Sequence, residues 1–446
     1  MGLMLRVAGY DPESLPAGGG LKDQVQVLSY VQTRGSVPVY WSEISNLHYV
    51  PKLQIRDIRN AVPAAKKHFD EQIRLYGDTY CVNLVNQGGR EARVKTAYEQ
   101  IVRALLTSPA EYRVASDVSA ERFRDIESMK QKTLEDRIHY VYFDFHHECR
   151  KMQWHRAQLL LDQMAEALDK QRYFHATEGG SSAAIATVRN TQASVVRSNC
   201  MDCLDRTNVV QSMLAKWTLT RQLADIGVLD AGEALDVHKA FETMFRNSWA
   251  DNADVVSRAY SGTGALKTDF TRTGVRTKNG ALADLVNSCT RYVRNNFADG
   301  PRQDAYDLFL GTYLPYTSQI ASSLVFVDRR PLFVQAVPYV AAASVFLVIF
   351  TLLVGEAGLV FRVLWASWAL VAVYCGRFIV GHGMLYVNWP KLNTMAWASE
   401  GCNEAMGRVR KDVVGGRFVG TGGHERGTSA GGIRLVHLEE GKKRIE

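Results

Sequence analysis

Val195-Val196-Arg197-Ser198-Asn199-Cys200-Met201-Asp202-Cys203-Leu204-Asp205-Arg206-Thr207-Asn208-Val209-Val210-Gln211 is the stretch on which the fold of this 446-residue chain turns. The β-branched pair Val195-Val196 closes a strand candidate, ASVVRS at 193–198, because such side chains pack well on a pleated surface. A short turn follows, and a helix is expected from about Thr207. Val209, Val210, Met213, Leu214 and Trp217 then recur at helical spacing and supply its apolar face.

A strand, a turn and a helix with five residues between Cys200 and Arg206, then Thr207, is the geometry of a cysteine-phosphatase loop. Successive backbone N–H groups from Met201, Asp202, Cys203, Leu204, Asp205, Arg206 and Thr207 would form a concave anion nest closed by a helix N-terminus. The planar fork of Arg206 suits two phosphate oxygens. The same positive field favours the Cys200 thiolate, a nucleophile that would form a cysteinyl-phosphate for water to hydrolyse. A carboxylic acid is then needed for the leaving oxygen, and the loop offers Asp205 first and Asp202 second.

Around this centre the chain alternates short β-rich runs with amphipathic stretches. Strand candidates are 25–31, 37–41, 79–85, 138–145 and 193–198. Helix candidates are 61–76, 90–106, 151–171, 207–223, 235–260 and 280–297. Such alternation predicts an α/β domain with a largely parallel sheet, placed at 25–325. Residues 1–24 carry Pro12, Pro16 and Gly18-Gly19-Gly20 and read as a disordered lead-in. The net charge of +7 is a mild basic excess that fits an anionic partner. No nucleic-acid partner is expected. Near-average composition excludes collagen-like, fibrous or wholly disordered chains. Seven cysteines in a chain of this length are too few for a disulfide framework and fit a reducing compartment.

From Pro331 to Gly355 no charge appears, and about 20 apolar residues suffice to cross a bilayer core. A second apolar run reaches Val380, with Arg362 and Arg377 able to snorkel at its ends. The sequence predicts a transmembrane hairpin over 331–380, with helices at 331–354 and 357–380. Arg329 and Arg330 precede it, Arg377, His382 and Lys391 follow, and the short connection carries no Lys or Arg. The positive-inside rule then puts both flanks in the cytosol. From Ser399 onward there are 11 Gly in 48 residues, so the tail at 381–446 reads as mostly disordered.

RSNCMDCLDRTNVVQ resembles the signature of the Sac-domain (suppressor-of-actin) phosphoinositide phosphatases. QTRGSVPVYWSEI (32–44), NLVNQGGRE (83–91), YFDFHHECRKMQWHR (142–156), WADNADVVSRAYSGTGALKTDFTRTG (249–274) and NNFADGPRQDAYDLFLG (295–311) are similar to further blocks of that family, in the same order. The hairpin matches its membrane-anchored members, and the resemblance covers about residues 24–392. It implies hydrolysis of the ring phosphate of phosphatidylinositol monophosphates, chiefly the 4-phosphate, without a metal or other cofactor. It also implies residence in the endoplasmic reticulum and Golgi. Two departures stand out. Ser198 replaces the family's usual Thr. The QTRGS block begins at residue 32, where the family carries a long N-terminal subdomain before it. An incomplete domain is therefore expected, with an exposed apolar face on the strands nearest 25–41. Lys443 and Arg444 resemble a dibasic retrieval signal read by the coatomer.

Other readings compete at several residues. Cys200 with Cys203 is a Cys-x-x-Cys pair, which by itself fits a redox pair or half a zinc site, with His146, His147 and Cys149 as further ligands. Inside the loop, Cys203 would instead pack against Cys200 or protect it as a reversible disulfide. His146 and His147 are candidates for catalysis or for bracing a neighbouring loop. Lys267-Thr268-Asp269 and Thr271-Arg272-Thr273 either approach the phosphate loop or form a solvated loop. The chain as a whole is read as a membrane-anchored enzyme or, alternatively, as a catalytically silent adapter that binds phosphoinositides.

Overall fold

A computed structural model describes residues 2–7, 25–107, 137–150, 153–178, 187–230, 232–317, 326–328, 330–354, 358–394 and 396–419. The chain divides into two compact units, one of residues 1–43 and 52–294, the other of 44–51 and 295–446.

In the first unit the strands are β1 (Gly2–Val7), β2 (Val25–Arg34), β3 (Trp41–Ile44), β4 (Lys52–Ile55), β5 (Asp78–Asn83), β6 (Ile138–Tyr142), β7 (Phe174–Glu178), β8 (Thr187–Asn190) and β9 (Ser194–Asn199). The main sheet runs β6-β5-β9-β2-β7-β8, with β1 also paired to β2, while β3 and β4 make a separate two-stranded sheet. β6, β5, β9 and the end of β2 are parallel, whereas β7, β8 and β1 add antiparallel pairs. The α/β class and the mostly parallel sheet are as expected.

The helices of this unit are α1 (Ile58–Tyr76), α2 (Glu91–Thr107), α3 (Phe145–Glu148), α4 (Gln158–Gln171), α5 (Asp205–Asp225), α6 (Lys239–Ser261), α7 (Thr268–Thr273) and α8 (Lys278–Phe297), the last crossing the unit boundary. Side chains alternate across a strand, so β5 sends Cys81 to one apolar cluster and Val82 to the other. Phe69 of α1 and Tyr98 and Ile101 of α2 fill the first; Leu160 and Met164 of α4 and Val210 and Leu214 of α5 fill the second. β9 lies between β5 and β2 and is buried at every residue. Gly77 ends α1 with φ at 84°, and a side chain there would strike the Ala193 carbonyl just before β9.

The second unit holds α9 (Asp299–Phe309), α10 (Leu332–Val354), α11 (Leu359–Gly381), α12 (Ala396–Lys411) and α13 (Gly415–Val419). α10 and α11 pack side by side. Each has 23 residues, about 34 Å at 1.5 Å per residue, enough for a bilayer core. Only 11% of the most apolar window of each is buried, which separates them from core helices of a water-soluble domain. Their base is closed by an apolar cluster of Val334, Val337, Cys375, Phe378, Leu385, Ala405 and Val409.

Five local expectations are corrected. Residues 2–7 form β1, although 1–24 read as a disordered lead-in; residues 8–24 lie outside the described residues. Val37–Tyr40 are not a strand, since Pro38 has no N–H for a ladder, and the strand starts at Trp41. Among the described residues near 25–41 there is no exposed apolar face: Leu28, Tyr30 and Val37 are buried, and Tyr40 is the exposed large side chain. The first unit ends inside α8 rather than near 325, because Asp304 of α9 accepts from the backbone of Lys391 and Leu392 beyond the hairpin. The tail at 381–446 contains α12 and α13, whose Ala405 and Val409 pack one turn apart on the hairpin base. Lys443 and Arg444 lie outside the described residues.

Candidate functional site

The loop at 200–204 leaves the end of β9 and enters α5 at Asp205. Two things fix its root. The Asn199 carbonyl accepts from Leu84 N–H at 2.8 Å, and the Asn199 side chain donates to Asn83 Oδ1 at 2.8 Å. α5 is pinned by Gln32, which donates to the Gln211 carbonyl at 2.9 Å, and by Asn208, which donates to the Trp249 carbonyl at 3.1 Å. Cys203 has φ at 52°, the left-handed region that a non-glycine residue enters at some cost. Such a turn is what curls successive N–H groups toward one point. Among the described residues no acceptor is found for the backbone N–H groups of Met201 to Leu204. The free first-turn N–H groups of α5 adjoin them.

Cys200, Met201, Cys203, Leu204 and Thr207 are buried, Asp205 and Arg206 are half-buried, and Asp202 is exposed. Thr207 Oγ1 donates to Cys200 Sγ at 3.4 Å. Hydrogen bonding from the Cys203 thiol, aided by the charge of Arg206 and by Thr207, outweighs burial and pulls the Cys200 thiol down to about 6. The Cys203 thiol is driven up in exchange and stays protonated, with Sγ 3.5 Å from the Cys200 carbonyl oxygen. Both cysteines are free thiols.

Arg206 does not stand alone. Its Nη1 and Nη2 donate to Glu91 Oε2 and Oε1 at 2.9 and 3.0 Å, and Nη1 also donates to Asn86 Oδ1 at 3.1 Å. Burial opposes both charges, but the pair more than offsets it: Glu91 is held below the usual carboxylate range and Arg206 above its own. A planar fork locked on one carboxylate keeps one orientation.

The two loop carboxylates differ. Asp205 Oδ1 accepts from Leu266 N–H at 3.0 Å, and its Oδ2 lies 3.9 Å from Arg291 Nη1. Asp202 has no hydrogen bond or ion pair among the described residues. Desolvation by the protein packed around them pushes both carboxyls up, for Asp202 even though the residue is exposed, against the pull of Arg291 on each, of Arg206 on Asp202, and of the Leu266 N–H on Asp205.

Three functional neighbours escaped the reading of the sequence. Arg34 donates to the Cys203 carbonyl at 3.4 Å and to Gln211 Oε1 at 2.9 Å, and its charge faces both loop cysteines. Glu91 holds Arg206, and Arg291 faces Asp205 while anchoring on Ser257 and Gly264. Arg34 and Glu91 lie in the QTRGS and NQGGRE blocks, which was the available signal. Lys267 does approach the loop, since its charge bears on Asp205, whereas Arg272 pairs with Asp251 at 2.6 Å. His146 and His147 are exposed on α3, with His147 Nδ1 3.1 Å from Glu148 Oε1. Cys149 is buried in the core. Among the described residues no three His, Cys, Asp or Glu side chains gather to hold a metal.

Residues 13–150 match the SacI homology domain family. Phosphatidylinositol-3-phosphatase SAC1 of Saccharomyces cerevisiae is 46% identical over 83% of this chain and 55% of its own length. The Drosophila melanogaster protein of the same name is 39% identical over 82% of this chain and 57% of its own. Phosphoinositide phosphatase SAC6 of Arabidopsis thaliana is 34% identical over 86% of this chain and 60% of its own. The chain thus spans little more than half the length of these relatives.

Proposed function

Given that the chain belongs to the Sac-domain family, we propose that it is a phosphoinositide phosphatase acting through a cysteinyl-phosphate at Cys200. The observation that carries this reading is the lowered Cys200 thiol beside a fixed Arg206 at the start of α5. A substrate phosphate enters the nest, gripped by the loop N–H groups and by Arg206. The Cys200 thiolate attacks phosphorus, and the S–P bond forms as the bond to the ring oxygen breaks. That oxygen takes a proton from a loop carboxylic acid. The unpaired, raised Asp202 carboxyl supports Asp202 in this role, while Asp205, tied to Leu266, supports the loop wall. Water then attacks phosphorus, returns the thiolate and releases inorganic phosphate.

The proposed substrates are phosphatidylinositol monophosphates, chiefly the 4-phosphate, with the 3-phosphate named in the yeast and fly relatives as the competitor. α10 and α11 are proposed to span the membrane of the endoplasmic reticulum, with the catalytic unit and C-terminus cytosolic, and Lys443 and Arg444 to serve retrieval to it by the coatomer. Phosphate release by the purified chain from vesicles carrying the 3-, 4- or 5-phosphate tests the activity and its ring position together. No release from any of them would leave the silent phosphoinositide-binding adapter.

A further inference from the structure

Arg197 is anomalous for its place. It sits on the central strand β9, three residues before Cys200, and is only 4% exposed. A buried guanidinium normally has a carboxylate partner, because an uncompensated charge in the interior is costly. Among the described residues none lies within 4 Å. Arg197 Nη2 donates to the Ser36 carbonyl at 2.7 Å, and Nε donates to His68 Nε2 at 3.0 Å. Nη1 is buried with no acceptor.

The ionisable groups around Arg197 do not supply the missing charge. Burial, with Arg197 itself, pushes His68 down toward its neutral form. Burial pushes the Cys81 thiol and the Tyr98 phenol up, so both stay protonated. Cys203 stays protonated as well.

Arg197 also lines a cavity of about 240 Å³. One wall is the 38–40 loop, the other the face of α1 that carries Ala61, Ala64, Ala65 and His68. Pockets for drug-sized ligands hold about 300–1,000 Å³, so this one suits a smaller group. Because His68 Nε2 accepts from Arg197, the ring hydrogen is on Nδ1, and the ring has a donor to offer. The small alanines leave room where a larger side chain would fill the space.

We propose that this cavity is a second anion site, separate from the Cys200 loop, which takes a phosphate monoester or free phosphate on Arg197 and His68. It uses neither Cys200 nor Arg206, so it stands whether or not the catalytic reading holds. A tetrahedral oxyanion matches donors arriving from a guanidinium and an imidazole, and it supplies the counter-charge that Arg197 lacks.

The test uses the full chain in nanodiscs of phosphatidylcholine and radiolabelled inorganic phosphate in equilibrium dialysis. Two phosphates should bind per chain. Arg197→Met keeps an apolar stem in the core and should weaken one of them by ~30-fold or more. Ala64→Glu, at an exposed helix position, places a competing carboxylate at the cavity and should remove the same phosphate, without disturbing the core. Arg206→Met should remove the other one only. If phosphatidic acid in the nanodisc displaces the Arg197-dependent phosphate, the occupant is a lipid headgroup; if it does not, the occupant is the free ion. A single bound phosphate lost in Arg206→Met, or two that persist in Ala64→Glu, would overturn the second site.

Discussion

The loop after β9 buries polar groups and the hairpin of α10 and α11 exposes apolar ones. Each inverts the ordinary arrangement of a protein in water. In the loop the burial is compensated inside the protein: Arg206 by Glu91, Asp205 by Leu266 N–H, Cys200 by Cys203 and Thr207. In the hairpin nothing among the described residues covers Phe346, Leu352, Leu353, Val360 or Leu370, all more than half exposed. The first inversion marks the loop proposed to carry the chemistry, because perturbed titratable groups cluster at functional sites. The second is the arrangement expected of the lipid-facing surface proposed for the hairpin. Five substitutions separate the two cases.

The largest effect is expected at the nucleophile. Cys200→Ser should lower turnover by about 10⁴-fold or more, since the serine hydroxyl is barely ionised near neutral pH. The thermal midpoint should change little, because the side chains are close in size. Steady-state phosphate release and a melting curve on the same sample check both. Full turnover by the serine variant would remove the loop from catalysis.

In the hairpin, Phe346→Arg puts a charge near the middle of α10 on an exposed face. If that face meets lipid, insertion should become less favourable by ~2.5–3.5 kcal/mol. If it meets water, the change should stay within about 0.5 kcal/mol, as for ordinary surface sites. The fraction of chain resisting alkaline extraction from microsomes distinguishes them, and an unchanged fraction would break the contrast drawn above.

Glu91→Gln asks whether the loop depends on its partner from α2. Both side chains are mostly covered, at 22% and 14% exposed. Breaking such a pair leaves Arg206 uncompensated, and a loss of stability of about 3 kcal/mol is expected, at the lower end for buried pairs. Turnover per KM should fall about tenfold, because an Arg206 free to turn no longer waits in the phosphate orientation. A rise in turnover per KM would mean that Glu91 competes with the substrate for the guanidinium.

How much of this was legible depended on the reach of each signal. The strand–loop–helix around Cys200 is one continuous stretch, so period, spacing and motif all fall between residues 193 and 217. The hairpin is legible from composition alone. Glu91 is 115 residues from Arg206, and Leu266 is 61 from Asp205, and no local pattern encodes either contact. β7 and β8 were missed because Phe174–Glu178 and Thr187–Asn190 are short and mixed in polarity, and the pairing of β7 with β2 and of β8 with β7 overrides that. α12 was hidden by the glycines at 401 and 407 of the tail, yet Ala405 and Val409 find the hairpin base and the packing holds the helix. Arg197 reads locally as an ordinary strand residue, and its burial follows only from the β5 and β2 neighbours of β9.

The smallest expected effect concerns how the loop sets its thiol. Cys200 lies near 6 rather than its ordinary 9, with the Cys203 thiol as the largest cause and Thr207 among the smaller ones. The sign follows from linkage: a depressed acid in the folded state favours folding when ionised. That contribution is complete above pH 9, shrinks as pH falls, and is gone below about 6. Alkylation of Cys200 by a small haloacetamide should therefore reach half its maximal rate near pH 6. Cys203→Ala removes the donor without adding a charge, so the midpoint should move upward, and the stability gained between pH 6 and 9 should shrink with it. Thr207→Val removes a donor at 3.4 Å, a long and weak hydrogen bond even for sulfur, and should move the midpoint in the same direction by less. If Thr207→Val moved it further than Cys203→Ala, the hydroxyl rather than the second thiol would be setting the nucleophile. Cys203 would then be packing alone, with no part in the compensation that distinguishes the loop from the hairpin.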